Sequence, residues 1–378
     1  MDQAEAAICA ALRGDRGIWR QVADPVMAEG FTAAAARHRV RPLLAWTLHR
    51  AGELPLWPER VRRALIEAER GEAALEVVRG IELRSLVASF AATGVSMLVL
   101  KGGSLAYSIY PEPWLRPRED IDILVDAADA SRARDLLIGA GYGPLPMQRG
   151  DLVSHQRAYV RRDASGRRHA IDLHWKIANP VAFSDLLTPA DLLAESSLVP
   201  LGEGVAARSP NRVHAWLLAC WHRVSHHHDS GDLLWLYDLH LLGAALTDSD
   251  VARAVAIARR TGTTAVCARG MALAAERFAT HVPAVLTTVP SADEHRASLT
   301  SAYLNRDARK VDLLAADLRA LPDWRSRFRL IREHLFPPAD YIFAVSGRSN
   351  PALLPALYLR RIIRGSLAWF RRPADRRP

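Results

Sequence analysis

The stretch Asp120-Ile121-Asp122-Ile123-Leu124-Val125 constrains the fold more than any other. Its branched residues read as a strand, and strand periodicity is two. Asp120 and Asp122 therefore project to one face, while Ile121 and Ile123 point to the other. The aliphatic side must pack on a core. The opposite side must carry two like charges, and half-burying such a pair without a partner is strongly unfavourable. Arginine would relieve the repulsion, and Arg116 and Arg118 lie just upstream. A divalent cation would do the same, since Mg²⁺ favours carboxylate oxygens together with substrate phosphates. The two aspartates alone leave both readings open.

The residues before and after this strand favour the cation. "VSMLVL" (95–100) is a short apolar run of strand formers, and "SLAYSIY" reads as a short helix. Between them sits Lys101-Gly102-Gly103-Ser104. Glycines there let backbone N–H groups approach a phosphate, and the helix N-terminus favours its charge. Ser104 would add a hydrogen bond and Lys101 a point charge. The lysine precedes the glycines, so this is not a P-loop. Downstream, in "HAIDLHWK", Ala170, Asp172 and His174 share one strand face. If that strand neighbours "DIDILV", three carboxylates converge on one metal-sized space, as two-metal phosphoryl or nucleotidyl transfer requires. The competing reading of Asp172 is an ion pair with Arg161, Arg162 or Arg168.

Around these strands the chain reads as helical. Residues 1–92 place apolar side chains at helical spacing, with Gly94 as a C-terminal cap. "PEPWLRPRE" is a Pro-rich loop, "AADASRARDLLIGAG" a helix, and "SHQRAYVRR" with "RRHAIDLHWKI" an antiparallel hairpin. Near residues 185–210 the chain leaves the sheet, and it is helical again from "SPNRVHAWLLACWHRVSHH". The expected fold is α+β: a small mixed-sheet domain (93–208) between an N-terminal helical region (1–92) and a C-terminal helical domain with a basic tail (209–378).

Bulk properties bound the function loosely. The 378 residues carry a net charge of +9, much of it in the arginines from Arg360 onward. That tail reads as a solvated terminus, as an amphipathic surface helix, or as a contact for RNA or another anionic partner. Cys9, Cys220 and Cys267 lack metal or disulfide spacing, and no apolar run approaches the roughly 18 residues of a membrane span. A cytoplasmic protein is expected. His222 and His226 lie four apart on a helix that ends in His227 and His228, suited to lining a cleft and less to zinc, for which no Glu or Cys partner is at hand. Asp238, alone in an apolar helix, calls for an Arg or His partner.

The combination of Gly103-Ser104, Asp120-x-Asp122 and Asp172 resembles the polymerase-beta-like nucleotidyltransferase superfamily. Within it, "LKGGSLAYSIYPEPWLRPREDIDILVD" looks most like the bacterial, uncharacterised nucleotidyltransferase family. The resemblance is specific over about residues 95–176. It implies Asp120, Asp122 and Asp172 as catalytic Mg²⁺ ligands, two ions in all, with Asp172 helping to activate an acceptor hydroxyl. Gly102, Gly103 and Ser104 would hold the triphosphate of an NTP, with ATP the default, and Lys101, Arg116 and Arg118 would contact phosphate. The insertion "PEPWLRPRE" lengthens the usual gap before Asp120, which loosens the two arginines more than the carboxylates. The implied activity is transfer of an NMP to a hydroxyl on a small molecule, RNA or protein, with pyrophosphate release. A non-catalytic NTP-binding regulatory module and a tRNA-modifying toxin-type enzyme are the alternatives. Oligomeric state is not legible.

Overall fold

The structure is a computed structural model and describes residues 2–281, 283–287 and 298–371. Arg372, Asp375, Arg376 and Arg377 of the basic tail lie outside the described residues.

Four helices open the chain: α1 (Gln3–Arg13), α2 (Pro25–Arg37), α3 (Arg41–Arg50) and α4 (Glu59–Ala92). Asp2 and Asp24 cap the first two by accepting the amides of Glu5 and Met27, satisfying donors that have no intrahelical acceptor. Gly94, at φ 70°, ends α4 in the left-handed region that glycine enters without a Cβ penalty.

A five-stranded sheet follows, ordered β1 (Met97–Val99), β2 (Ile121–Val125), β5 (Arg168–His174), β4 (Gln156–Arg162) and β3 (Gly143–Pro144). It is mixed: β2 and β5 run parallel, and every other neighbouring pair is antiparallel. Two helices lie between its strands, α5 (Lys101–Ser108) and α6 (Ala130–Gly139). The period of two divides the sheet cleanly. Ile121, Ile123, Ile171 and Leu173 pack with Leu83 and Phe90 of α4 and Leu137 of α6. Leu98, Leu100 and Leu124 join a second apolar cluster, shared with α1, α3 and the C-terminal helices. The aspartates of β2 and β5 share this second face.

Two short helices, α7 (Val181–Ser184) and α8 (Pro189–Ala194), lead from β5 to a hairpin of β6 (Ser197–Pro200) and β7 (Ala206–Ser209). The chain leaves the five-stranded sheet here as its sequence suggests, yet the hairpin packs back against β1 and α5. Helices α9 (Arg212–Ser225), α10 (Leu233–Ala245), α11 (Asp248–Arg260) and α12 (Thr264–Phe278) then cover the aspartate-bearing face. Further helices include Lys310–Ala320, Trp324–Leu335, Ala339–Ser346 and Leu354–Phe370. The architecture is α+β, with a small mixed sheet between helical regions.

One local expectation needs correcting. Lys101, Gly102 and Gly103 do not stand between the strand and the helix but form the helix's first turn. Glycine costs about 1 kcal/mol in a helix interior, and close packing explains why it stands here. A Cβ on Gly103 would sit 3.0 Å from Val99 Cγ1, and one on Gly102 would sit 3.3 Å from an Arg116 Nη1. Val99 is β-branched and stiff, so Gly103→Ala is expected to lower stability by about 1 kcal/mol despite its better helix propensity, read by denaturant unfolding.

Candidate active site

Parallel pairing of β2 with β5 sets Asp122 directly beside Asp172, with Leu124 beside His174. Asp120 precedes Asp122 by one side-chain period, so all three carboxylates share the face that the C-terminal helices cover. Across the antiparallel pair, Gln156 of β4 stands opposite His174, and its Nε2 donates to Asp172 at 2.8 Å. Asp172 is thus held by Gln156 and not by the arginines of the hairpin.

Lys101 opens α5 at φ 49°, an uncommon conformation for a residue with a side chain. Its Nζ donates to Asp122 Oδ1 at 2.6 Å. His174 Nε2 lies 2.9 Å from the same oxygen and donates to it. Lys101 Nζ is 3.4 Å from that nitrogen; one ring nitrogen cannot serve both, and the shorter contact to the carboxylate decides the tautomer. Burial would raise the Asp122 carboxyl, but Lys101 and His174 hold it well below the usual range. Burial also keeps His174 below its ordinary value, with Lys101 adding to the effect. Asp120 goes the other way, to about 6, through burial first and then repulsion from Asp122 and Asp172. Burial and Asp122 likewise raise Asp172.

Three carboxylates therefore face one ammonium, leaving an excess of negative charge that a divalent cation would balance. Among the described residues, the group of His, Cys, Asp or Glu side chains with ligand atoms all within 4.8 Å of one another is Asp122, Asp172 and His174. The donor set fits a hard cation through its carboxylate oxygens, with His174 better suited to orienting Asp122 than to binding Mg²⁺. His174 is the member of this cluster that counting aspartates misses, although its position two residues beyond Asp172 places it on the same face.

Lys101, Asp120, Asp122 and Asp172 line a cavity of about 390 Å³ together with Gly102, Ser104, Arg116, Arg118 and Gln156; His174 is buried beneath them. Gly103 lies behind them against Val99. The Ser104 hydroxyl shares a 2.5 Å hydrogen bond with that of Ser209 on β7. Arg116 is occupied: Nε and Nη2 each reach Asp238 at 2.8 Å, and Nη1 donates to the Pro117 carbonyl. Tyr110 Oη donates to the same aspartate at 2.8 Å. Asp238 thus has the arginine partner its burial demands, supplied from the loop before β2. Arg118 Nη2 donates to Glu76 of α4 at 2.7 Å, while its Nε and Nη1 are buried without a partner. Neither arginine holds the aspartates of β2, which removes the ion-pair reading of that strand.

The opposite wall comes from α9, the turn that follows it, and α10. His222, His226, His227 and Trp235 line it, with His227 stacked on Trp235 at 3.9 Å between ring centroids. Burial, reinforced by the Lys101 charge, lowers His226 to about 3 and His227 to about 4, so both are neutral near pH 7. His222 and His227 share a hydrogen bond of 3.1 Å.

A sequence model of the uncharacterised nucleotidyltransferases matches residues 24–279, well over half of the chain. The chain belongs to this uncharacterised nucleotidyltransferase family. The match takes in the sheet, the carboxylate cluster and both walls of the cavity, running from α2 to α12. Curated proteins give no match to this nucleotidyltransferase. No helix among its described residues is long and apolar enough to cross a membrane.

Proposed function

We propose that the protein is a Mg²⁺-dependent nucleotidyltransferase that moves an NMP from an NTP to a hydroxyl acceptor and releases pyrophosphate. The observation that carries this reading is the parallel register of Asp122 and Asp172 beneath the first turn of α5. Asp120, Asp122 and Asp172 would hold the cation, two ions by the family pattern. Bound there, the metal would supply charge neutralisation at the phosphates and a more acidic acceptor hydroxyl.

The chain's own residues have separable roles. Lys101, poised beside Asp122, meets the phosphates as a point charge, and the first-turn amides of α5 have no intrahelical acceptor and suit phosphate oxygens. Ser104 reaches the nucleotide by exchanging its Ser209 partner. Arg118 keeps two unused donors, whereas Arg116 fixes the wall by its grip on Asp238. Asp172, held by Gln156, receives the acceptor proton, and His174 keeps Asp122 oriented. ATP is the default donor because it is abundant.

Incubating the protein with each NTP, Mg²⁺ and a cell extract as acceptor source tests the proposal. Metal-dependent pyrophosphate release with one NTP supports it. Binding without turnover under any acceptor supply would replace it with a regulatory module.

Proton linkage offers an independent check. Asp120 titrates near 6 in the fold against about 3.9 unfolded, so its contribution to stability is present below the unfolded value and is lost as pH rises through about 6. A cation bound at the carboxylates removes that loss. Mg²⁺ is therefore expected to raise the melting temperature more at about pH 7.5 than at about pH 5, and to release a proton on binding at the lower pH. Calorimetry in buffers of different ionisation enthalpy reads the proton.

A further inference from the structure

The family match stops at residue 279, and the helices beyond it form a surface of a different kind. On Trp324–Leu335, Trp324, Phe328 and Ile331 recur at helical spacing and are exposed, Trp324 by 70% and Phe328 by 63%. Val345 on the next helix and Leu359 on the last are exposed as well. The helices touch one another: Ala339–Ser346 packs on Leu354–Phe370, Phe336 meets Tyr358, and His334 meets Trp369. Arginines are set among the apolar side chains. Arg325 lies over the Trp324 ring and Arg361 over that of Tyr341, while Arg360 and Arg364 project to solvent on one helix face. From residue 341 to 374 the chain contains no Asp or Glu.

We infer that this C-terminal surface binds an anionic lipid bilayer, holding the enzyme at the membrane as a peripheral protein. Large exposed apolar and aromatic side chains rimmed by arginine are the composition of an interfacial helix, whose apolar side enters the headgroup boundary while its cations meet lipid phosphates. The competing occupants fit less well. A second copy would bring two arginine-rich faces together. RNA would use the arginines but gains nothing from Leu359 or Val345. A protein groove takes one helix stripe, whereas these exposed side chains are spread over three helices and suit a fluid partner that moulds to them. The surface is also tied to the catalytic sheet. Glu333, buried on the inner side of the first of these helices, accepts the amides of Asp151, Leu152 and Val153 at 3.1, 2.9 and 3.2 Å. That segment leads directly into Gln156, the partner of Asp172.

Co-sedimentation of the full chain with vesicles tests the inference, comparing phosphatidylcholine alone with phosphatidylcholine plus phosphatidylglycerol. The protein is expected to sediment with the anionic vesicles only and to be released by salt. Arg360→Gln/Arg364→Gln should weaken that partitioning about 30-fold, and Phe328→Ser/Leu359→Ser at least about tenfold. Both variants change exposed side chains, so unchanged melting transitions confirm that they fold. Absence of binding to either vesicle, equal binding to both, or undiminished binding by the variants would overturn the inference. Retention of RNA, or concentration-dependent dimerisation, in place of vesicle binding would overturn it too, in favour of those partners.

Discussion

Asp122→Asn is expected to reduce pyrophosphate release about 10³-fold, equivalent to roughly 4 kcal/mol of transition-state stabilisation. The substitution preserves shape and removes the charge on which the site converges. Asp122 meets Lys101 at 2.6 Å and His174 at 2.9 Å, and stands beside Asp172 in the parallel register. Its depressed pKa means that its contribution to stability is present above the unfolded carboxylate value and is lost as pH falls toward the folded one. The variant should therefore be less stable near pH 7 and converge on the wild type in strong acid. His174→Gln gives the contrasting result. It leaves the carboxylates and loosens Asp122, so a loss of about 10- to 100-fold is expected, in the range for groups that orient a ligand. Equal losses in the two variants would argue that His174 does more than position Asp122.

The second large effect is on stability. Asp238→Ala is expected to cost about 3–5 kcal/mol, because it strands the buried Arg116 guanidinium and leaves Tyr110 without its acceptor. Chemical denaturation measures it. The double variant Arg116→Met/Asp238→Leu should recover much of that loss, since replacing both members of a buried pair by apolar residues is often neutral or better. A single-variant cost under about 1 kcal/mol would mean that the pair does not hold α10 against the loop before β2.

What the sequence made legible follows from range. The strands and their faces rest on a period of two, which is local, whereas the convergence of Asp122 with Asp172 needed one assumed pairing of strands far apart in the chain. The α+β architecture followed from the same periodicities. Side-chain partners were not legible. Lys101 and Asp122 are 21 residues apart, and Arg116 and Asp238 are 122 apart; no spacing rule joins such pairs, and only the packing of α5 and α10 around the sheet does. Asp238 showed that it needed a partner, but not that the partner would come from the loop before β2. Lys101-Gly102-Gly103 read as the link between strand and helix, whereas close approach to Val99 and Arg116 sets the glycines in the helix's first turn.

The most direct measurement is calorimetric titration of each NTP in Mg²⁺ into the wild type and into Asp120→Asn/Asp122→Asn. One NTP is expected to bind the wild type only when the metal is present, and the variant, though folded, is expected to lose that binding. Metal-independent binding, no binding to the wild type, or equal binding to both would contradict the assignment of these carboxylates to a metal-nucleotide site.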